Sequence, residues 1–397
     1  MCKRNAPEFF SQPECLLATH CLEYVVWFLY ATMRAARKPR ARDILLLPIL
    51  SILRFMRPAL FRCLRSGVAL RVLFGAFVLC SSLMSSALKA RASDSCPATS
   101  NSCTHEPEVC LPRTNDEVWL VSSRGLGCPD CESLPPQFEV WQFDTQNCQW
   151  NHSTQAAFIA SNDPAVPTVF WVHGNRKYAD EARDDGVEVY HQMTTGVSGS
   201  RPIHFVIYSW PASPIHGLRE DAREKAARTN SDGFYLGWLV NQINPKVSVD
   251  FIGYSFGARI VTGALHLLGG GELCGWTITD RVKRIAPMQT VLVAPAVNND
   301  WLAIGHTHGE ALPVVERMLS LNNYCDRALK HYGAIDPCSR PEALGYTGAV
   351  GPLGENESKL RELNMCCAVG KQHYWGSYFY NPSIVALIRP YVGLADN

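Results

Sequence analysis

The chain has 397 residues, of which 47% are hydrophobic and 18% charged, with a formal net charge of +1. That composition is ordinary for a globular protein and leaves room for one large α/β domain plus additional segments. No basic face stands out beyond the N-terminal region, so nucleic acid is not an expected partner.

Residues 1–92 hold two basic-then-apolar units and no pattern of a packed domain. The first runs from Arg34 to Arg42 into the apolar stretch that begins at Ile44. In the second, Arg57, Arg62, Arg65 and Arg71 precede a run from Val72 to Met84, and the unit closes on Ala90-Arg91-Ala92. A positive region, a short apolar core and an A-x-A site are the parts of a secretory signal peptide. The core is short for a membrane span. The signal lies far from Met1 but is terminal if translation begins at Met56. Cleavage before Ser93 predicts an exported protein, periplasmic or extracellular; the alternative is an uncleaved N-terminal membrane anchor. A lipoprotein site at Cys80 is disfavoured, because Phe77-Val78-Leu79 puts a large residue where a small one is needed.

Sixteen cysteines are many for a cytosolic enzyme. Cys96, Cys103, Cys110, Cys128, Cys131 and Cys148 crowd into one segment rich in Pro, Ser, Thr and Asn, the mark of an oxidising compartment. Residues 93–115 therefore read as a disulfide-stapled or disordered segment and 116–397 as the folded domain. Asp116 to Ser123 and Phe138 to Asp144 read as two strands, forming an antiparallel hairpin at one edge of the main sheet. Cys128-Pro-Asp-Cys131 between them has redox spacing, but no βαβ pattern surrounds it, and structural disulfides are favoured. A zinc site from this pair with Cys148 and His152 lacks a recognisable second ligand pair.

Val166 to Gly174 reads as a buried strand ending in His-Gly, and Ile203 to Pro211 as the next. The polar stretch from Arg219 to Thr229 reads as an exposed helix leading into Gly233-Phe-Tyr-Leu-Gly-Trp-Leu-Val. Val247, Val249, Phe251 and Ile252 then make a short apolar strand, followed by Gly253-Tyr254-Ser255-Phe256-Gly257. Ile260, Val261, Ala264, Leu265 and Leu268 recur at helical spacing until three glycines stop them. The pattern of strand, tight turn and helix gives G-x-S-x-G a mechanical meaning: the serine sits on a turn too sharp for bulky neighbours. Alone, the five residues equally fit a glycine-rich βα turn. Further strands follow from Gln289, from Met318 and from Arg361 to Gly370. Asp300 and Asp326 lie in loops after the first two, and His373 lies directly after the last. His306-Thr-His308 is a loop pair without a third ligand, so no metal is expected there.

With Gly253-Tyr-Ser-Phe-Gly257, an acid and His373 in that order, the chain from about Asp116 onward resembles the α/β-hydrolase superfamily. Tyr208-Ser-Trp-Pro211 and Asp326-Arg-Ala-Leu329 also resemble a bacterial branch of it. The resemblance implies a mostly parallel central sheet with helices on both faces and antiparallel N-terminal edge strands. It implies Ser255 as nucleophile, His373 as base and Asp326 as the orienting acid, since the hydrolase acid follows the second strand after the serine; Asp300 is then a helix cap or a surface residue. The implied oxyanion hole is the N–H of Phe256 with that of Asn175, the residue after His-Gly. Asn175-Arg176 departs from the further glycines of many lipases.

The implied activity is cleavage of an ester or related acyl bond in a small-molecule or lipid-like substrate, without cofactor or metal. The alternative is a binding or surface protein that keeps the fold without turnover. Phe234, Tyr235, Trp238 and Trp301 either line an acyl pocket or belong to the core. Residues 336–359, rich in Gly and Pro, form either a mobile lid or a long surface loop. Cleavage leaves eleven cysteines, an odd number, with Cys274, Cys325, Cys338, Cys366 and Cys367 unassigned.

Overall fold

The computed structural model describes Arg113 and residues 115–130, 135–144, 147, 149–197 and 201–394. Met1–Thr104 and His105–Asn397 are separate units, and all described residues belong to the second. The expected signal segment, the start at Met56 and Cys96, Cys103, Cys110, Cys131 and Cys148 lie outside the described residues. Among the described residues no helix is long and apolar enough to cross a membrane.

Among the described residues nine strands form one sheet: β1 (Glu117–Ser122), β2 (Glu139–Asp144), β3 (Gln149–Ser153), β4 (Thr168–Val172), β5 (His204–Ser209), β6 (Val249–Tyr254), β7 (Met288–Val293), β8 (Arg317–Asn322) and β9 (Leu360–Asn364). Their order is β3-β2-β1-β5-β4-β6-β7-β8-β9. The β1–β2 and β2–β3 pairs are antiparallel, and every other pair is parallel. Parallel strands need cover on both faces, and β4, β5 and β6 are buried at every position.

That cover comes from α1 (Gln155–Ala160), α2 (Ala179–Thr194), α3 (Leu218–Gln242), α4 (Phe256–Gly269) and α5 (Pro382–Ile388). Side chains of a strand alternate between faces, and β5 divides its contacts accordingly. Phe205 meets Tyr190 of α2 with ring centroids 5.5 Å apart, and Ile207 lies under Gly186 of the same helix. Tyr208, on the other face, donates to the Asp232 carbonyl of α3 at 3.4 Å. Helices thus flank both faces of a mostly parallel sheet with antiparallel strands at its N-terminal edge, which is the α/β-hydrolase fold.

The chain order places the functional loops. From β4 the chain moves to one side to form β5, then returns across β4 to form β6. Such a reversal opens a crevice at the carboxyl ends of the strands on either side of it. The loops that leave β4 and β6 therefore meet there.

Several elements differ from the expectations. The outermost strand is β3, so β1 lies inside the sheet, paired with β5. β3 carries little apolar signal in Gln149-Trp-Asn-His-Ser153; it is held by pairing with β2 and by Trp150 against Phe143, ring centroids 5.3 Å apart. The helix read over Arg219 to Thr229 is one unbroken element with the stretch it leads into, running through two glycines to Gln242. Each glycine costs a helix about 1 kcal/mol relative to alanine, and packing against α4 overrides that cost: a Cβ at Gly233 would stand 3.4 Å from the Ile260 carbonyl. The last strand stops at Asn364, and Cys366–Val369 is a helical turn. Cys325 and Cys366 form a disulfide. Among the described residues Cys128, Cys274, Cys338 and Cys367 are free, and the expected partners of Cys128 lie outside the described residues.

Candidate active site

Ser255 stands between β6 and α4 with φ 54° and ψ −118°, a conformation that costs a residue with a side chain about 1 to 3 kcal/mol. Its surroundings over-determine it. The Ser255 N–H donates to the Val293 carbonyl at 3.0 Å, and the Ser255 carbonyl accepts from the Ala296 N–H at 3.1 Å. The glycines are required by contact: a Cβ on Gly257 would lie 2.0 Å from the Val172 carbonyl oxygen, and one on Gly253 would lie 2.7 Å from the Ala258 Cα. Ser255 occupies the N-cap of α4 without capping it, so its hydroxyl is left for another partner. That partner is His373, with Oγ and Nε2 2.9 Å apart.

Asp326 lies in the turn after β8 and is fully buried. Its Oδ1 accepts from the N–H groups of Ala328 at 2.8 Å and Leu329 at 3.1 Å, while Oδ2 is 2.7 Å from His373 Nδ1. A carboxylate only accepts, so this contact puts the ring hydrogen on Nδ1 and leaves Nε2 to accept from the serine hydroxyl. Asp300 has no part in this arrangement. It sits on the surface, 3.2 Å from the exposed His306.

His373 follows the helical turn Cys366–Val369, and residues outside the expected set hold its loop. Tyr254, between Gly253 and Ser255 in the motif, donates its hydroxyl to the His373 carbonyl. Burial pushes the Tyr254 phenol well above its ordinary range, which keeps it a donor. Asn323 donates through Nδ2 to the carbonyls of Gly370 at 2.9 Å and Gln372 at 3.2 Å. The Cys325–Cys366 disulfide ties the residue before Asp326 to the same segment.

Asn175 and Phe256 line the cleft that holds Ser255 and His373. Phe256 is the first residue of α4, where a backbone N–H has no partner within its own helix. Asn175 is anchored through its side chain, whose Nδ2 donates to Asp221 Oδ2 at 2.8 Å. Asp221 is fully buried in the first turn of α3, and it also accepts from the Ile215 N–H at 2.9 Å and faces Arg176 Nη1 at 3.3 Å. Nothing in the polar stretch around Asp221 marks it as buried. Only the packing of α3 against the loop after β4 reveals the contact.

His173 is a structural residue. Its Nδ1 is 2.8 Å from the Gly174 carbonyl, its Nε2 accepts from the Trp210 N–H at 3.3 Å, and burial, helped by the charge of Arg124, lowers its pKa to about 3. His308 is buried against Thr262, Nδ1 to Oγ1 2.8 Å, whereas His306 is exposed. No group of three or more metal-ligating side chains occurs among the described residues.

The cleft measures about 990 Å³, with Leu218 and Ala222 of α3 on one side and the 3₁₀ segment Leu329–Ile335 on the other. None of Phe234, Tyr235, Trp238 and Trp301 lines it, so the acyl-pocket reading of those four is corrected. Tyr235 and Trp238 pack on Phe138 with centroids 6.3 and 6.4 Å away, and Trp301 lies 4.1 Å beneath the Arg259 guanidinium. Of residues 336–359, Pro337 and Arg340 line the cleft. The far end of that segment is pinned by Lys359, whose Nζ donates to the carbonyls of Leu312 at 3.2 Å and Pro313 at 3.0 Å.

No family model matches the chain, and no curated protein sequence matches it. Among solved structures it is similar to an inhibited esterase B from Lactobacillus rhamnosis, at 13% identity and a TM-score of 0.33, over 80% of this chain and 96% of that one. A cutinase-like protein from Cryptococcus sp. is 12% identical with a TM-score of 0.28, over 58% of this chain and 97% of the other. Esterase 2 of Thermogutta terrifontis, phosphorylated by paraoxon, is 10% identical with a TM-score of 0.25, over 60% and 88%. At these values the functional reading rests on the site itself.

Proposed function

We propose that the protein is an exported serine hydrolase that cleaves an ester or related acyl bond through an acyl-enzyme on Ser255. The observation that carries the reading is the unbroken contact from Ser255 Oγ to His373 Nε2 at 2.9 Å and from His373 Nδ1 to Asp326 Oδ2 at 2.7 Å, at the mouth of a cleft. In this mechanism His373 takes the hydroxyl proton as Oγ attacks the acyl carbonyl carbon, and Asp326 holds the ring in the useful tautomer. The tetrahedral oxyanion is held by the N–H groups of Phe256 and Asn175, each worth roughly 3 to 4 kcal/mol of barrier by the usual measure of such donors. Collapse breaks the bond to the leaving alkoxide, which receives the proton from His373. Water, deprotonated by the same ring, then releases the acid and restores the serine.

The substrate is a small-molecule or lipid-like acyl ester. Export is supported by the Cys325–Cys366 disulfide, a bond that persists in oxidising compartments. A fluorophosphonate probe tests the central claim: it labels the native protein, and the label disappears in Ser255→Ala. Folded native protein that takes no label overturns the enzyme in favour of a binding protein on the same scaffold.

A further inference from the structure

We propose that the cleft above Ser255 selects esters that carry an anionic group, a carboxylate or a phosphate, near the scissile bond; this rests on the ester-hydrolase reading of the same site. Among the described residues Arg219 and Arg223 from α3, Lys330 from the 3₁₀ segment and Arg340 beyond it line the cleft together with Ser255 and His373, and no Asp or Glu lines it. The whole chain carries 37 Lys and Arg against 36 Asp and Glu, so composition alone does not gather one sign around one opening.

The placement also works against the helix that bears it. Arg219 and Arg223 are one turn apart on the face that presents Leu218 and Ala222 to the cleft, and like charges at that spacing repel. Arg219 stands in the first turn of α3, the end of the helix dipole that disfavours a cation. An anion in the cleft reverses both effects. Arg223 is fixed across the opening, because its Nε donates to the Ala334 carbonyl at 3.1 Å.

The neighbouring carboxylates are tied up in their own contacts, and only Asp336 also acts on a rim cation, Arg223. Asp221 is buried beneath Asn175, Ile215 and Arg176, Glu224 accepts from Lys225 at 3.2 Å, and Glu220 folds back over Gly217. Asp336 accepts from the Ser339 hydroxyl at 2.7 Å and the Cys338 N–H at 2.9 Å. Arg219, Lys330 and Arg340 have no ion-pair partner among the described residues. A substrate anion is the natural complement to this rim.

The test uses two matched pairs. In the first the charge is a carboxylate on the acyl side: 4-nitrophenyl valerate against mono(4-nitrophenyl) glutarate. In the second it is a phosphate on the leaving side: phenyl acetate against 4-(phosphonooxy)phenyl acetate. We expect the anionic member of at least one pair to have a kcat/KM about tenfold higher, with the ratio falling as NaCl is raised to about 0.5 M and falling again in Arg219→Glu and Lys330→Glu. Anionic-to-neutral ratios at or below unity in both pairs, or ratios unmoved by either charge reversal, overturn the proposal. Calorimetric binding of the same pairs to Ser255→Ala reads charge preference without turnover. If native protein hydrolyses none of the four while Ser255→Ala still prefers the anions, the anion site stands and the hydrolase reading falls; if that preference is also absent, the anion site falls as well.

Discussion

Asp326 divides its two oxygens between the turn that holds it and the ring it serves, and that division predicts what an amide would do. In Asp326→Asn the carbonyl oxygen satisfies the turn N–H groups, so the NH₂ faces His373 Nδ1 and drives the ring into the opposite tautomer. Nε2 then carries the hydrogen and cannot accept from Ser255. We expect kcat to fall by about 10⁴ with KM little changed, as in other triads with this substitution, and fluorophosphonate labelling to slow in step. A loss smaller than tenfold would remove Asp326 from the mechanism. Ser255, Asp326 and His373 were legible because a motif, a strand count and chain order pick them out. Tyr254, Asn323 and Asp221 were not, because each acts through hydrogen bonds to a segment remote in sequence, and no local pattern encodes such bonds.

Among the elements, the segment from β8 to the His373 loop has the most to lose. The disulfide joins Cys325, next to Asp326, to Cys366, seven positions before His373, across a sequence separation of 41. By chain entropy a closed loop of that size stabilises the fold by about 4 kcal/mol. Cys325→Ser with Cys366→Ser, or reduction by dithiothreitol, should lower the denaturant midpoint accordingly and reduce kcat at denaturant concentrations where the fold still holds. An unchanged midpoint and unchanged kcat would make the bond ornamental. Cysteine spacing does not disclose this pairing, since five cysteines in the C-terminal part of the chain allow many. Strands β4 to β7 were readable as apolar runs because they are buried on both faces; β3 was not, because an edge strand of Gln, Trp, Asn, His and Ser has no apolar period to follow.

For the whole molecule, buried titratable groups set the pH range of stability. Burial lowers the pKa of His173 to about 3 and that of His204 to about 4, against an ordinary 6.5. Below pH 6.5 the unfolded chain takes up protons that these folded rings refuse, so stability falls as pH drops through 6.5 toward 4. Asp250, buried in β6, behaves in the opposite sense. Burial raises its pKa from 3.8 to about 8, so the folded protein retains a proton that the unfolded chain releases, and stability falls as pH rises through that window. Asp185 and Asp232 are raised in the same direction, both chiefly by burial. Together these groups place the maximum near neutrality. Urea midpoints between about pH 4 and pH 9 should show that maximum, and Asp250→Asn, which removes a loss running from pH 3.8 to about 8, should flatten the alkaline side and steepen the acid side. A difference between variant and native protein that is constant across pH would refute the assignment. The apolar environment of Asp250 was visible in the strand around it; the depth of its burial was not, since that depends on which strands lie to either side.

Asp326 and His373 are in contact although the chain between them wanders through the whole 3₁₀ wall of the cleft and back. Both ends of that excursion are clamped, one by the turn N–H groups that grip the acid and the other by Tyr254, Asn323 and the sulfur bridge. Within that peptide β9 is part of the sheet, so change of sequence is best borne by the 3₁₀ wall Leu329–Ile335, where the charge of the cleft can alter while the contact between Asp326 and His373 is held from both ends.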